Sequence, residues 1–324
     1  MRVLLDASYA RRGPSGTAIY IEQIAAALRA QGVDVVEAVD IARRAPGGPL
    51  RASAGNAVHD LAWSTVELAR RARAAGADVI HHPLPAWTAG ARQVVCVHDL
   101  AFERIPLFFP PRYRLWAHHA HRFAARRAGA VICVSHATAA DVHERWGVPR
   151  ERIVVAHHGP GQVAGARNVA AEHLLYIGDE EPRKNLGLLR EGYRRYRERA
   201  AAPLPLVLAG AAGERGADVV SLLERAAALV HPARHEGFGL TALEAMACGV
   251  PVIAARSAAV VEVCGDAARY VDADDPEGLC AELLALDDTR RAAMAAAGLE
   301  RAARYSWADS ARAHIEAYTL AAAP

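Results

Sequence analysis

The chain has 324 residues, long for one core and suited to two domains of ordinary size. Hydrophobic residues make up 52% and charged residues 23%, which excludes a disordered chain, and a formal net charge of +2 gives no electrostatic ground for a nucleic-acid partner. Five scattered cysteines, Cys96, Cys133, Cys248, Cys264 and Cys280, lack CxxC spacing, so they read as reduced, mostly buried thiols of a cytosolic protein.

MRVLLDAS is apolar only as far as Asp6 and reads as a first strand, not a signal segment. No later apolar run approaches the roughly 18 residues of a membrane-spanning helix. RRGPSGT then leads into the apolar-periodic run Ile19 to Leu28, which gives strand, glycine-rich loop and helix, the opening of an α/β unit. At such a helix start the backbone around Gly13, Ser15 and Gly16 can approach a phosphate; a plain turn is the alternative. Residues 33 to 39 predict a second strand, 43 to 56 (RRAPGGPLRASAGN) a mobile surface loop, and 57 to 74 a helix.

Next come two strands, ADVIHHP, which ends in His81 and His82, and RQVVCVHDLAF, with His98 and Asp99 at its carboxyl end, where open α/β sheets place ligands. His98 is either a substrate contact or a strand-end histidine bonded to backbone. Histidine pairs recur at 81–82, 118–119 and 157–158, but none combines with cysteine or acidic residues at ligand spacing, and His235-Glu236-Gly-Phe-Gly breaks the HExxH pattern. No metal site is expected. Between Phe102 and Arg127, aromatics (Phe108, Phe109, Tyr113, Trp116, Phe123) interleave with arginines. One reading is a helix with its apolar face in the core and its basic face in water. The other is a surface, over residues 108–127, that touches anionic lipid or a lipid-linked acceptor. AVICVSHATAADV supplies a further strand, turn and helix.

HGPGQVAGARNV, beginning at His158, is dense in Gly and Pro without periodicity and divides the chain into domains 1–165 and 166–305. HLLYIG restarts with a strand, and DEEPRKN precedes the helical run Leu186 to Arg199. Arg183 and Lys184 thus sit at a strand's carboxyl end beside a helix start, with Asn185 as the expected cap. That makes either a diphosphate site or a solvated pair. PLPLVLAG is a strand ending at Gly210, and a helix over 217 to 228 and the strand ALVHP lead to HEGFGLTALEAMACGVPVIA. There Glu236 precedes the glycine-rich turn Gly237, Phe238, Gly239, Leu240, and Glu244 lies eight positions on, in the helix. Thr241-x-x-Glu244 matches a capping box, Gly249 an αL helix end and Pro251 a strand start; Glu236 has no structural duty visible in the sequence. Asp272-Ala273-Asp274 matches a metal-binding DxD pattern but sits among turn formers and reads as a surface loop. The segment 306–324 is an amphipathic helix whose Trp307, Ile315 and Tyr318 can dock elsewhere on the protein.

At these residues the chain resembles the family-4 retaining glycosyltransferases of the GT-B fold. The matching pieces are GPSGTAIY, VCVHDLAF, VICVSHAT, YIGDEEPRKNLGLL, HEGFGLTALEAMACGVPVIA with its E-x7-E, and the tail GDAARYVDADD to YSW. The resemblance implies an α/β protein of two Rossmann-like domains facing across a cleft. Domain 1–165 would take the acceptor and 166–305 the nucleotide-sugar, with 306–324 crossing back. It places Glu236 at the donor sugar, Glu244 at the ribose hydroxyls, His98 at the sugar's 6-position, and Arg183 and Lys184 on the diphosphate. Gly13 to Gly16 would cover that diphosphate, and Glu262 matches a further polar position. It implies transfer of a hexose, mannose by the VHDLAF and PRKN forms, from a nucleoside-diphosphate sugar to a glycan, lipid-linked or small-molecule hydroxyl, without metal or other cofactor. The setting expected from the cysteines and from residues 108–127 is cytoplasmic or peripheral at the inner membrane face. A nucleotide-sugar epimerase and a non-catalytic binding subunit are the rival readings. Two departures stand out: Asp179 replaces a frequent arginine, and only 26 positions separate Gly210 from Glu236, so a smaller second sheet is expected.

Overall fold

The computed structural model describes residues 1–13, 15–41, 59–161, 163, 167–210 and 218–323, the Arg12 side chain excepted. The loop expected at 43–56, Pro14, the first two residues of the helix expected at 57–74, and part of the 158–169 linker lie outside the described residues. The chain forms two compact units, one of residues 1–103, 110–158 and 307–324, the other of residues 104–109 and 159–306.

The first unit is built on six parallel strands: β1 (Arg2–Asp6), β2 (Asp34–Ala38), β3 (Val79–His82), β4 (Gln93–Val97), β5 (Ala130–Cys133) and β6 (Ile153–Val155). Their order is β2-β1-β3-β4-β5-β6. Every residue of β3, β4 and β5 is buried, which is why they read as unbroken apolar runs and not as alternations. The chain reverses its direction of travel across the sheet between β1 and β3, so the carboxyl ends of those strands form the crevice. Helix α1 (Gly16–Ala30) follows β1; the Ser15 hydroxyl caps it by accepting from the Ala18 N–H at 3.1 Å, and its buried face includes Tyr20, Ile21, Ile24 and Leu28. The helix expected over 57–74 is helical from residue 59 but interrupted by a π-turn at Trp63–Glu67 before α2 (Leu68–Ala75). The cause is local: the hydroxyls of Ser64 and Thr65 both donate to the Leu61 carbonyl and compete with the helical ladder.

Helix α3 (Pro111–Arg127) corrects the expectation of an apolar face in the core. Its buried residues are Ala117, Ala124 and Ala125, whereas Leu115 is 64% exposed, Trp116 60% and Phe123 45%. The alanines let the helix lie close to its neighbours, so the aromatics share the outer face with the arginines. Helix α4 (His136–Trp146) follows β5, capped by Ser135. The C-terminal helix, Trp307–Ala322, belongs to this unit and buries one face, Ser310, Ala311, His314, Ala317, Tyr318 and Ala321.

The second unit repeats the wiring with five parallel strands: β7 (His173–Ile177), β8 (Leu206–Ala209), β9 (Ala226–His231), β10 (Val252–Ala255) and β11 (Ala268–Val271). The order is β11-β10-β9-β7-β8, so its reversal falls between β7 and β9. Helix α5 (Leu186–Arg199) follows β7. The helix expected over 217–228 is shorter: α6 (Val219–Glu224) starts at an Asp218 cap, and β9 begins already at Ala226. Asn168 holds that end through three bonds from its amide, to the carbonyls of Leu223, Glu224 and Ala226. Burial in the central strand overrides the helical preference of Ala226, Ala227 and Ala228. The remaining helices are α7 (Leu240–Ala247), α8 (Ala258–Cys264), α9 (Pro276–Leu284) and α10 (Asp288–Ala302). All five cysteines are buried and none is in a disulfide. Among the described residues no helix is long and apolar enough to cross a membrane.

The seat of the C-terminal helix is testable at Gly129, where an added Cβ would stand 2.7 Å from the Ala321 Cα. Gly129→Ala should therefore destabilise the protein by about 1–3 kcal/mol through overpacking, read as a lower urea midpoint. An unchanged midpoint would show that the helix does not sit this close.

Candidate active site

In the second unit the site follows from the sheet order. Because β7 and β9 are neighbours, the loops after their carboxyl ends meet. A short turn, Pro182–Lys184, leaves β7 and ends at Asn185 in the left-handed region (φ 58°), the one non-glycine residue with positive φ among those described. Asn185 does not cap α5 through its side chain, contrary to expectation. Its amide donates to the Ala273 carbonyl at 2.8 Å, which fixes the αL turn that points residues 183 and 184 at the crevice. The Arg234 N–H donates to the Arg183 carbonyl at 3.0 Å and ties the two loops together.

The tie delivers Glu236 to the cations. Lys184 Nζ lies 2.6 Å from Glu236 Oε1, and Arg183 Nη1 lies 3.7 Å from Oε2. The side chains of Glu236 and Lys184 are only 13% and 17% exposed, so this is a largely desolvated pair. Burial pushes the Glu236 carboxyl up, but Lys184, His231 and Arg183 together outweigh it and hold the group at about 2. Lys184 is the largest of these, by charge and by hydrogen bond, and His231 is itself lowered to about 4 by burial. The sequence gives no reason to single out His231 beyond its place at the end of ALVHP. Its Nε2 is 3.7 Å from Glu236 Oε1 and its Nδ1 is 3.3 Å from the Thr241 hydroxyl. Glu236 therefore has a structural duty after all, as the counter-charge of the 183–184 turn. An ammonium has three donors, and this bond uses one of Lys184's.

Beyond Glu236, Gly237, Phe238 and Gly239 are buried, and α7 starts at Leu240 after Gly239 (φ 93°). The Thr241 to Glu244 capping box does not form, because Thr241 is already the second residue of the helix and its hydroxyl sits at His231. The first-turn N–H groups lie outside the helical ladder and mark the positive end of the helix dipole. Glu244 is buried on the same helix. Gly249 takes φ 78° at the helix end, and Pro251 precedes β10, both as expected. The 272–274 loop is a surface turn in which the Asp274 N–H donates to Asp272 Oδ1 and Arg234 pairs with Asp274.

The other candidates belong to the first unit. His98 follows β4, and its Nε2–H donates to the Pro83 carbonyl at 3.0 Å, so the backbone-bonded form is the one observed. Burial lowers its pKa below the usual histidine value, which leaves a neutral ring with Nδ1 as its acceptor nitrogen. Gly13 has φ 109°, Gly13, Ser15 and Gly16 are exposed, and the Ser15 oxygen is engaged as the α1 cap.

Residues 14–159 match the model of Glycosyltransferase Family 4, and residues 166–288 that of Glycosyl transferases group 1. The chain is 29% identical over 269 residues to the O-antigen chain mannosyltransferase B of Escherichia coli, covering 71% of this chain and 70% of that protein. Among solved structures, sucrose-phosphate synthase from Thermosynechococcus elongatus aligns with a TM-score of 0.73 at 16% identity, over 98% of both chains. Anabaena HepE in complex with UDP-glucose aligns with a TM-score of 0.68 at 15% identity, over 97% of this chain and 98% of that one. The chain is a glycosyltransferase of the GT-B fold. It belongs to family 4, and its likeness runs to the mannosyltransferases.

Removing one partner of the buried pair strands the other. Lys184→Met should cost about 2–4 kcal/mol by urea unfolding at pH 7.5, less than a fully buried pair, and Lys184→Met/Glu236→Gln should recover more than half. The pH sign follows from the lowered carboxyl: the stabilisation is complete above the ordinary glutamate pKa of about 4.5 and is lost as pH falls towards 2. A Lys184→Met protein as stable as the parent would refute the pairing.

Proposed function

We propose that this chain transfers a hexose, mannose in preference to others, from a nucleoside-diphosphate sugar to a hydroxyl on a glycan, lipid-linked or small-molecule acceptor. Transfer would retain the anomeric configuration and need no metal ion. The observation that carries this reading is the convergence of Arg183, Lys184 and Glu236 at the β7/β9 reversal, next to the start of α7.

As the glycosyl–phosphate bond breaks, negative charge grows on the leaving diphosphate and positive charge at the anomeric carbon. Lys184 and Arg183, fixed before the donor arrives, meet the first without reorganisation, helped by the N–H groups of Gly237 to Leu240 at the helix start. Gly13, Ser15 and Gly16 would offer backbone N–H groups to a phosphate. The diphosphate competes with Glu236 for Lys184, and the carboxylate is then left to favour the oxocarbenium-like sugar. His98 would accept a hydroxyl of the sugar, and Glu244 would take the ribose hydroxyls. Retention follows if the acceptor attacks from the leaving-group face and the phosphate takes its proton. The mannosyltransferase relative supports mannose, and the UDP-glucose complex of HepE supports a nucleotide-sugar donor.

The outer face of α3 supports peripheral membrane contact on the cytoplasmic side. Arg112, Trp116, His119, Phe123, Arg126 and Arg127 recur at helical spacing and are all exposed, the mixture of cations and aromatic rings that suits an anionic lipid surface.

Thermal shift against UDP-, GDP- and dTDP-sugars should find one donor that stabilises the protein, by about 2.7 kcal/mol at a hundredfold excess over its Kd. If no nucleotide raises the melting temperature at millimolar concentration, the enzyme reading is wrong. With that donor, Glu236→Gln should bind nearly as the parent does while kcat falls on the order of 100-fold, and EDTA should leave transfer unchanged. Sugar conversion without acceptor would point to an epimerase instead.

In flotation, the protein should rise with anionic vesicles, and Trp116→Ala/Phe123→Ala should stay in the dense fraction. Equal recovery of both would remove the membrane role of α3.

A further inference from the structure

The interior of the first unit holds a chain of polar rings that the transfer chemistry above does not use. His314 Nδ1 lies 2.7 Å from the Ser310 carbonyl, which can only accept, so Nδ1 carries the ring proton and Nε2 is bare. The Tyr20 hydroxyl, 2.7 Å from that Nε2, therefore donates to it and accepts from His81 Nε2–H at 3.0 Å. His81 Nδ1 is then the bare nitrogen and accepts the Tyr318 hydroxyl proton at 2.8 Å. The bonds run in one direction, from Tyr318 through His81, Tyr20 and His314 to Ser310. All four rings are fully buried, and burial keeps both histidines neutral, His314 at about 4 and His81 well below an ordinary histidine, so neither tautomer is disturbed near neutral pH.

Tyr20 is also the wall against which His98 is set. The two rings meet edge to face, with centroids 5.0 Å apart and planes at 85°. His158 packs on both, 5.1 Å from Tyr20 and 5.9 Å from His98, and stacks on Trp307 at 5.2 Å. His158 ends the 110–158 stretch of this unit, and Trp307 opens its 307–324 stretch. Both end residues therefore pack near Tyr20, the ring whose hydroxyl is bonded from two sides.

We propose that this directional relay is a positioning device. Tyr20, locked by His81 and His314, fixes the His98 ring and is a positioning residue for sugar transfer. The catalytic part of this inference rests on the reading of His98 as a donor contact.

The test is Tyr20→Phe in the full chain labelled with 15N-histidine. The ring is kept, but two buried histidine nitrogens lose their partner. The His98 ring signal, assigned by its loss in His98→Gln, should shift or split, and kcat should fall about tenfold while the donor KM stays within about twofold. Tyr318→Phe removes only the first donor and should move the same signal less. It carries the test if Tyr20→Phe fails to fold. A single His98 signal at its parental position in the variant that folds would overturn the proposal. Full transfer by His98→Gln would instead remove the donor-contact reading, and the ring signal would still decide whether the relay positions His98.

Discussion

The structure depends on a carboxylate and an ammonium held 2.6 Å apart with little water around them. Desolvating two charges is unfavourable unless their attraction and further bonds offset it, so a fold that retains such a pair must hold both ends rigidly. Here the rigidity is backbone work. The αL turn at Asn185, the bond from the Arg234 N–H to the Arg183 carbonyl, and the adjacency of β7 and β9 fix where Lys184 and Glu236 stand. With Arg183 beside it, the pair places two cations and an anion at the β7/β9 reversal.

The two units share strand wiring but handle buried polarity in opposite ways. The second gathers charges at its reversal point. The first gathers neutral rings, Tyr20, His81, His98, His314 and Tyr318, which satisfy one another or the backbone. In the proposed function such a neutral wall would suit His98 as acceptor of a sugar hydroxyl, since a protonated ring could not accept.

Much of this is legible in the sequence, because parallel strands buried on both faces print as apolar runs and ligand loops follow their carboxyl ends. Glu236, Lys184 and His98 can each be picked out by residue type and position. What cannot be read is which of them touch: Lys184 and Glu236 are 52 positions apart, and their pairing depends on strand order. Asn185 suits a cap and an αL turn equally well, and only the Ala273 carbonyl decides between them. Thr241 and Glu244 match a capping box, but the helix starts two residues too early for it to form. Helix α3 alternates arginine and aromatics, and the face that packs is set by Ala117, Ala124 and Ala125, whose smallness hides them from a search for large core residues. Tyr20 and His314 lie 294 positions apart and leave no local signature of their bond.

The claim that bears the most weight is that Lys184 and Arg183 hold the donor's diphosphate beside Glu236. Calorimetry should compare the tightest-binding nucleoside diphosphate with its parent nucleoside, in the native chain and in Lys184→Met. The account predicts that the variant loses about tenfold or more in affinity for the diphosphate, at least about 1.4 kcal/mol, while the nucleoside binds within about twofold of its original affinity. A diphosphate affinity that does not change, or equal losses for both ligands, would contradict it.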